Sequence, residues 1–152
     1  MVSIQDLVNR GLIQKEEGIG FDQIEKHLKR ARRDLEVASA NLSIDSEASF
    51  NYAYLAMLRA GRALMFSFSY RPIDGFQHKT IVDFAGCVLE SNFSTLIAKF
   101  DRMRKTRNKF TYEEPGLLVT ETEAESALQF AKNFVSEVNR FLKEKSQQKK
   151  MF

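Results

Sequence analysis

The chain has 152 residues, 43% hydrophobic and 28% charged, with no Trp, two Pro and one Cys, the balance of one ordinary folded domain. That composition excludes a disordered chain, a collagen-like fibre and a disulfide scaffold, since Cys87 has no second thiol to pair with. With 23 basic and 20 acidic residues the net charge is only +3, so any affinity for nucleic acid must come from local clustering.

A lone Cys suits a reducing compartment, where a thiol packs as a small apolar side chain. The opening MVSIQDLVNR lacks the basic stretch and apolar run of a secretory signal, and no window reaches the roughly 18 apolar residues of a membrane span. A cytoplasmic protein with no membrane contact is expected. One Cys and two His supply no metal cage, and GxGxxG and GxxxxGK loops are missing, so neither a metal nor another cofactor is expected.

Residues 1–20 read as a short helical arm with a loose link at EEGIG. The bundle proper spans 21–145. Asp22 and Glu25 form a plausible capping pair, and behind them Ile24, Leu28, Ala31, Leu35, Ala38 and Leu42 alternate steps of four and three along one helical stripe. A second helix is predicted from an N-cap near Ser46 to about Tyr70, ended by Arg71 and Pro72. It carries Phe50, Tyr54, Met57, Gly61, Leu64, Met65 and Phe68 on one face and further apolar residues on the other, as a central helix would. Gly61 weakens that helix by about 1 kcal/mol relative to Ala, which points to close approach of another backbone.

RPIDGFQ reads as a turn, and a third helix follows from about His78 to Glu90 with Ile81, Phe84, Ala85, Val88 and Leu89 on one face. SNFS breaks the pattern, with Ser91 and Asn92 as candidate caps. The fourth helix carries Phe93, Leu96, Ile97, Phe100 and Met103 and continues into RKTRNKF, until EEPG stops it. Thr120 and Glu123 then make a capping box for the last helix, whose stripe runs from Ala124 to Leu142. Residues 146–152 form a basic, frayed tail. The fold class is all-α, a compact bundle of four to five antiparallel helices.

The most informative stretch is KFDRMRKTRNK. Lys99, Arg102, Arg104, Lys105, Arg107 and Lys109 stand there against one acid, Asp101, and the local net charge of +5 exceeds that of the whole chain. These six are the candidate nucleic-acid-binding residues. Arg107 lies four residues beyond Met103, at the edge of the buried stripe rather than opposite it. Such an Arg is either a structural guanidinium, paired with a carboxylate or a helix C-terminus, or a bidentate clamp for a phosphodiester. Arg59 and Arg62 on the central helix either join it in an electropositive groove or flank the apolar stripe.

The second helix SFNYAYLAMLRAGRALMFSFSY, the turn RPIDGFQHKT and the segment RKTRNKFTY, in that order, resemble the HEPN (higher eukaryotes and prokaryotes nucleotide-binding) domain over about residues 22–145. The resemblance implies a bundle of four or five helices, usually a homodimer. It further implies either a metal-independent ribonuclease or a non-catalytic member of a toxin–antitoxin pair whose partner is a minimal nucleotidyltransferase. The family's motif is an Arg, commonly followed by Asn, with a His four to six residues after the Arg, and two copies form one composite cleft. Arg107 and Asn108 match its start. Tyr112 stands where the His belongs, and Glu114 replaces the Tyr that often follows.

The substitution matters because cleaving RNA through its own 2′-hydroxyl needs a group that takes up a proton near neutral pH. Tyr, with an ordinary pKa of about 10, is poorly placed for that, although it can donate a hydrogen bond or stack on a base. His27, beside the core residue Leu28, and His78, at the start of the third helix, more readily serve structural roles than that of the missing base. The reading is therefore an RNA-binding or nucleotidyltransferase-binding HEPN-like domain whose nuclease activity is lost or reduced. Its rivals are an active ribonuclease using Arg107, Asn108 and Tyr112, and a helical adaptor that does not touch nucleic acid.

Overall fold

Apolar side chains at helical spacing fold into six α-helices among the residues described by a computed structural model of the chain, 2–73, 77–89 and 93–151. Ser3 caps α1 (Ile4–Asn9), its hydroxyl accepting from the Asp6 N–H while the Asp6 carboxylate accepts from the Ser3 N–H. This short helix buries Leu7 completely. Gly11, at φ 70°, turns the chain in the left-handed region and leads into strand β1 (Ile13–Lys15).

The expected N-terminal arm is therefore not helical throughout. Ile13 is only 2% exposed, and the strand pairs antiparallel with β2 (Tyr70–Pro72), Ile13 opposite Pro72 and Lys15 opposite Tyr70. Three-residue strands leave no period to read, and their pairing satisfies backbone groups that burial would otherwise orphan.

Two long helices follow. α2 (Phe21–Asn41) begins at Gly20 with no side-chain cap, so Asp22 is a first-turn acid rather than half of a capping pair. α3 (Ser46–Ser67) is capped by Asp45, one residue earlier than expected, whose carboxylate accepts from the Ala48 N–H at 3.0 Å. It ends before the expected Tyr70, because Ser69 at φ 62° turns the chain out of the helix into β2. As its two-sided apolar pattern requires, α3 is central and packs on α2, α6 (Glu121–Met151), α4 (Gln77–Val88) and α5 (Ser94–Asn108).

A Cβ at Gly61 would stand 2.5 Å from Ile81 Cγ2 of α4, so the neighbour that excludes a larger residue is a side chain, not the backbone expected from sequence. Asp74, Gly75 and Phe76 of the predicted turn, and Glu90, Ser91 and Asn92 at the next break, lie outside the described residues. Thr120 does cap α6, its Oγ1 accepting from the Glu123 N–H at 3.1 Å. Instead of fraying, the backbone stays helical through Met151. On the way, Lys145 donates to the Ser67 carbonyl at 2.8 Å, over the ring of Phe68.

Candidate functional site

The first turn of α4 faces the last turn of α5 across a cavity of about 360 Å³ lined by Gln77, His78, Lys79, Arg104, Arg107, Asn108 and Tyr112. Every one of these side chains can donate a hydrogen bond, and none is a carboxylate. The N-terminal end of a helix carries positive potential, and here that end belongs to α4.

Arg107 is partly buried in the last turn of α5, where the negative end of the helix dipole favours a cation. Among the described residues it makes no ion pair, and its buried Nε has no hydrogen-bond partner. The carboxylate expected for a structural guanidinium is thus missing there. Its neighbours are better neutralised: Arg104 Nε meets Asp101 at 2.9 Å, Lys105 reaches the same carboxylate at 3.4 Å, and Lys79 pairs with Asp83 at 3.2 Å. Burial pushes the Asp101 carboxyl upward, but hydrogen bonds and charge from Arg104 and Lys105 outweigh it and hold the group below its ordinary value.

Beyond Asn108 the helix widens into one π turn, Lys109–Glu113, with Phe110 buried. The widening swings Tyr112 back so that the Arg107 guanidinium lies 5.5 Å from the centroid of its ring, while the ring stays 71% exposed at the cavity mouth. The Tyr that occupies the motif's His position is therefore spatially joined to Arg107 and Asn108, as a stacking surface.

His78 sits on the other wall. Its Nδ1 lies 3.0 Å from the hydroxyl of Tyr54, a residue of α3 with no exposed surface. Burial, followed by the positive charges of Arg107, Arg62 and Arg104, lowers the His78 pKa and so disfavours the charged ring. Burial also raises the Tyr54 hydroxyl far above its ordinary value, so it stays a phenol. Behind them Arg62 donates to Gln77 Oε1 at 3.1 Å.

The six candidate cations do not form one patch. Arg104 and Arg107 line the cavity, whereas Lys99 and Arg102 line a separate groove with Phe50, Met103, Thr106, Thr122, Glu123 and Ser126. Lys99 stands 5.2 Å from the Phe130 ring centroid, Lys105 is held by Asp101, and Lys109 is exposed at the start of the π turn. Arg62 borders the site, but Arg59 is turned to the buried Asp34 at 3.1 Å. His27 packs its ring edge-on to Phe66, outside the cavity. Gln77 and Lys79 are lining residues that sequence reasoning did not name, and His78, which it weighed as a base and read as structural, lines the cavity with them. Only the QHK of the turn signalled them, and nothing in the spacing placed that turn beside Arg107.

Among the described residues no three His, Cys, Asp or Glu side chains gather as a metal cluster, and no helix is long and apolar enough to cross a membrane. Cys87 donates to the Val2 carbonyl at 3.0 Å, and burial pushes its thiol pKa up, the opposite of an activated nucleophile.

Fold and cavity together define an all-α bundle with a cavity between two helix ends whose lining side chains can all donate a hydrogen bond. The chain matches the HEPN domain over residues 24–141, well over half its length, and belongs to that family. Comparison with curated proteins gives no match.

Proposed function

We propose that this HEPN domain binds RNA through the cavity between α4 and α5, holding a phosphodiester there with nuclease activity lost or strongly reduced. The observation that carries the reading is Arg107, a partly buried guanidinium whose Nε has no partner, in the lining of a pocket that holds no carboxylate and whose side chains can all donate. With no carboxylate among the described residues to neutralise it, the Arg107 guanidinium is left to an anion with several acceptor oxygens. A phosphate fits better than a carboxylate, because Arg107, Arg104, Lys79 and the start of α4 approach from two walls and match an anion with oxygens on more than one side.

Efficient cleavage would need a base aimed at the 2′-hydroxyl. The lining offers no carboxylate, Tyr112 is a phenol, and His78 has one nitrogen engaged with Tyr54. A homodimer, a toxin–antitoxin setting and a nucleotidyltransferase-type partner are supported by the family alone, and belong to the proposal in that sense. The test is a salt titration of single-stranded RNA binding by the full chain. Affinity should fall with a log–log slope of about −0.7 per phosphate contacted, Arg107→Ala should bind at least about tenfold more weakly, and RNA should stay intact without metal. A flat salt response would remove the RNA reading and direct the search to protein partners.

A further inference from the structure

We propose that His78 is a fixed, uncharged hydrogen-bond donor to the bound phosphate, with its tautomer set by Tyr54. The inference rests on the RNA-binding reading above and assigns a ligand-contacting role to a side chain from a helix other than the one that carries Arg107 and Asn108.

The Tyr54 hydroxyl carries a single hydrogen and is buried without exposed surface, and its one hydrogen-bond neighbour among the described residues is His78 Nδ1, 3.0 Å away. Pointed anywhere else, that hydrogen would be buried and unsatisfied. Tyr54 therefore donates, Nδ1 accepts, and the ring's own hydrogen resides on Nε2. His78 lines the cavity, and with Nδ1 engaged by Tyr54 the Nε2–H is the ring donor left for a ligand there. The charged and titratable groups around the ring are Tyr54 and Arg62 from α3, Arg104 and Arg107 from α5, Tyr112 from the π turn, and Lys79 on its own helix. None is a carboxylate that would draw a second proton onto the ring.

In this state the imidazole can hold and orient a phosphate oxygen but cannot take the 2′-hydroxyl proton, because its lone pair is already used by Tyr54. His78 thus offers the phosphate a donor without supplying the proton chemistry of the replaced motif His. The preference between binding and cleavage is set inside the core, at Tyr54.

The test combines spectroscopy and affinity on the full chain. In histidine-labelled protein at pH 7, nitrogen-15 NMR should show Nε2 protonated and Nδ1 as acceptor for His78, and Tyr54→Phe should yield a mixture of both tautomers with the thermal transition retained. For a fluorescent oligouridine, His78→Ala should bind about tenfold more weakly, while His78→Gln, whose amide N–H replaces the Nε2–H, should stay within about threefold of wild type. A wild-type His78 protonated on Nδ1 would overturn the inference. So would unchanged affinity in His78→Ala while Arg107→Ala loses binding. If both variants bind as tightly as wild type, the RNA-binding reading falls instead. Metal-free cleavage that His78→Gln abolishes would make His78 a proton-transfer group and contradict the proposal directly.

Discussion

Arg107 and Tyr112, five residues apart, meet with guanidinium to ring centroid at 5.5 Å. On a regular α-helix two such positions point about 140° apart around the axis, and the π turn at Lys109–Glu113 narrows that angle. The contact separates two contributions that a single deletion would mix. Arg107→Ala should weaken RNA binding about 10- to 100-fold, as expected for lost charge-assisted hydrogen bonds, with a stability change of about 1 kcal/mol or less because no ion pair is lost. Tyr112→Phe keeps the ring and should bind as wild type, whereas Tyr112→Ala should bind about two- to fivefold more weakly. Fluorescence anisotropy and thermal melts measure both.

Gly61 tests the packing that brings α4 to the site. Ala is the better helix former by about 1 kcal/mol, so on propensity alone Gly61→Ala should stabilise α3. Its Cβ, however, would stand 2.5 Å from Ile81 Cγ2, and the variant should instead be destabilised by about 1–3 kcal/mol. Ile81→Ala removes the opposing methyl, so the double variant should be more stable than the sum of the two single changes, as read in a denaturant double-mutant cycle.

Asp34 has no exposed surface, and its Oδ2 lies 3.1 Å from Arg59 Nη1 without a well-aligned hydrogen bond. Burial raises its pKa, an effect that Arg59, Arg30 and Arg33 only partly offset. Arg59→Ala leaves a buried carboxylate behind and should cost about 3–5 kcal/mol at pH 7, more than Asp34→Asn, after which the half-buried Arg59 can still reach water. A raised folded-state pKa destabilises the ionised form, so the Arg59→Ala deficit should shrink as pH falls toward the ordinary carboxyl value of 3.8. Urea denaturation of both variants at pH 7 and pH 4.5 checks the order and the sign.

Much of this architecture was legible because helical periodicity survives at every long element. The stripe Leu28, Ala31, Ala38 and the two-sided apolar pattern of α3 read directly as buried faces, and the position of Arg107 at the edge of a buried stripe was plain from its distance to Met103. Asp34 was not legible as a core residue, since a charge beside an apolar stripe ordinarily reads as solvated. The β1–β2 pair was too short to carry a period, and the π turn differs from an α-helix by one residue per turn, which composition does not encode. The site suffered most from distance in sequence. KFDRMRKTRNK looked like one basic patch, yet α5 sends Lys99 and Arg102 to one groove and Arg104 and Arg107 to another. The opposing wall, Gln77 to Lys79, is a tertiary partner that only packing of α4 on α3 and α5 brings in.

The pKa values of both histidines are lowered by burial first, and then by Arg62 and Arg59 at His27 and by Arg107, Arg62 and Arg104 at His78. A His depressed in the folded state binds its proton more readily when unfolded. Its contribution is fully present above the ordinary value of 6.5 and is lost as pH falls below it through the folded-state value. The melting temperature should therefore fall between pH 7 and pH 5.5, a window above the ordinary carboxyl range, and the His27→Gln, His78→Gln double variant should show a flatter profile there.

The most direct test of the central claim is the salt dependence of oligouridine binding measured side by side for wild type and Arg107→Ala. If the α4–α5 cavity holds a phosphodiester, wild-type affinity falls steeply with salt, and Arg107→Ala binds more weakly with a slope shallower by about 0.7, one phosphate contact. Identical affinities and slopes for the two proteins would place RNA elsewhere or nowhere, and would contradict the account.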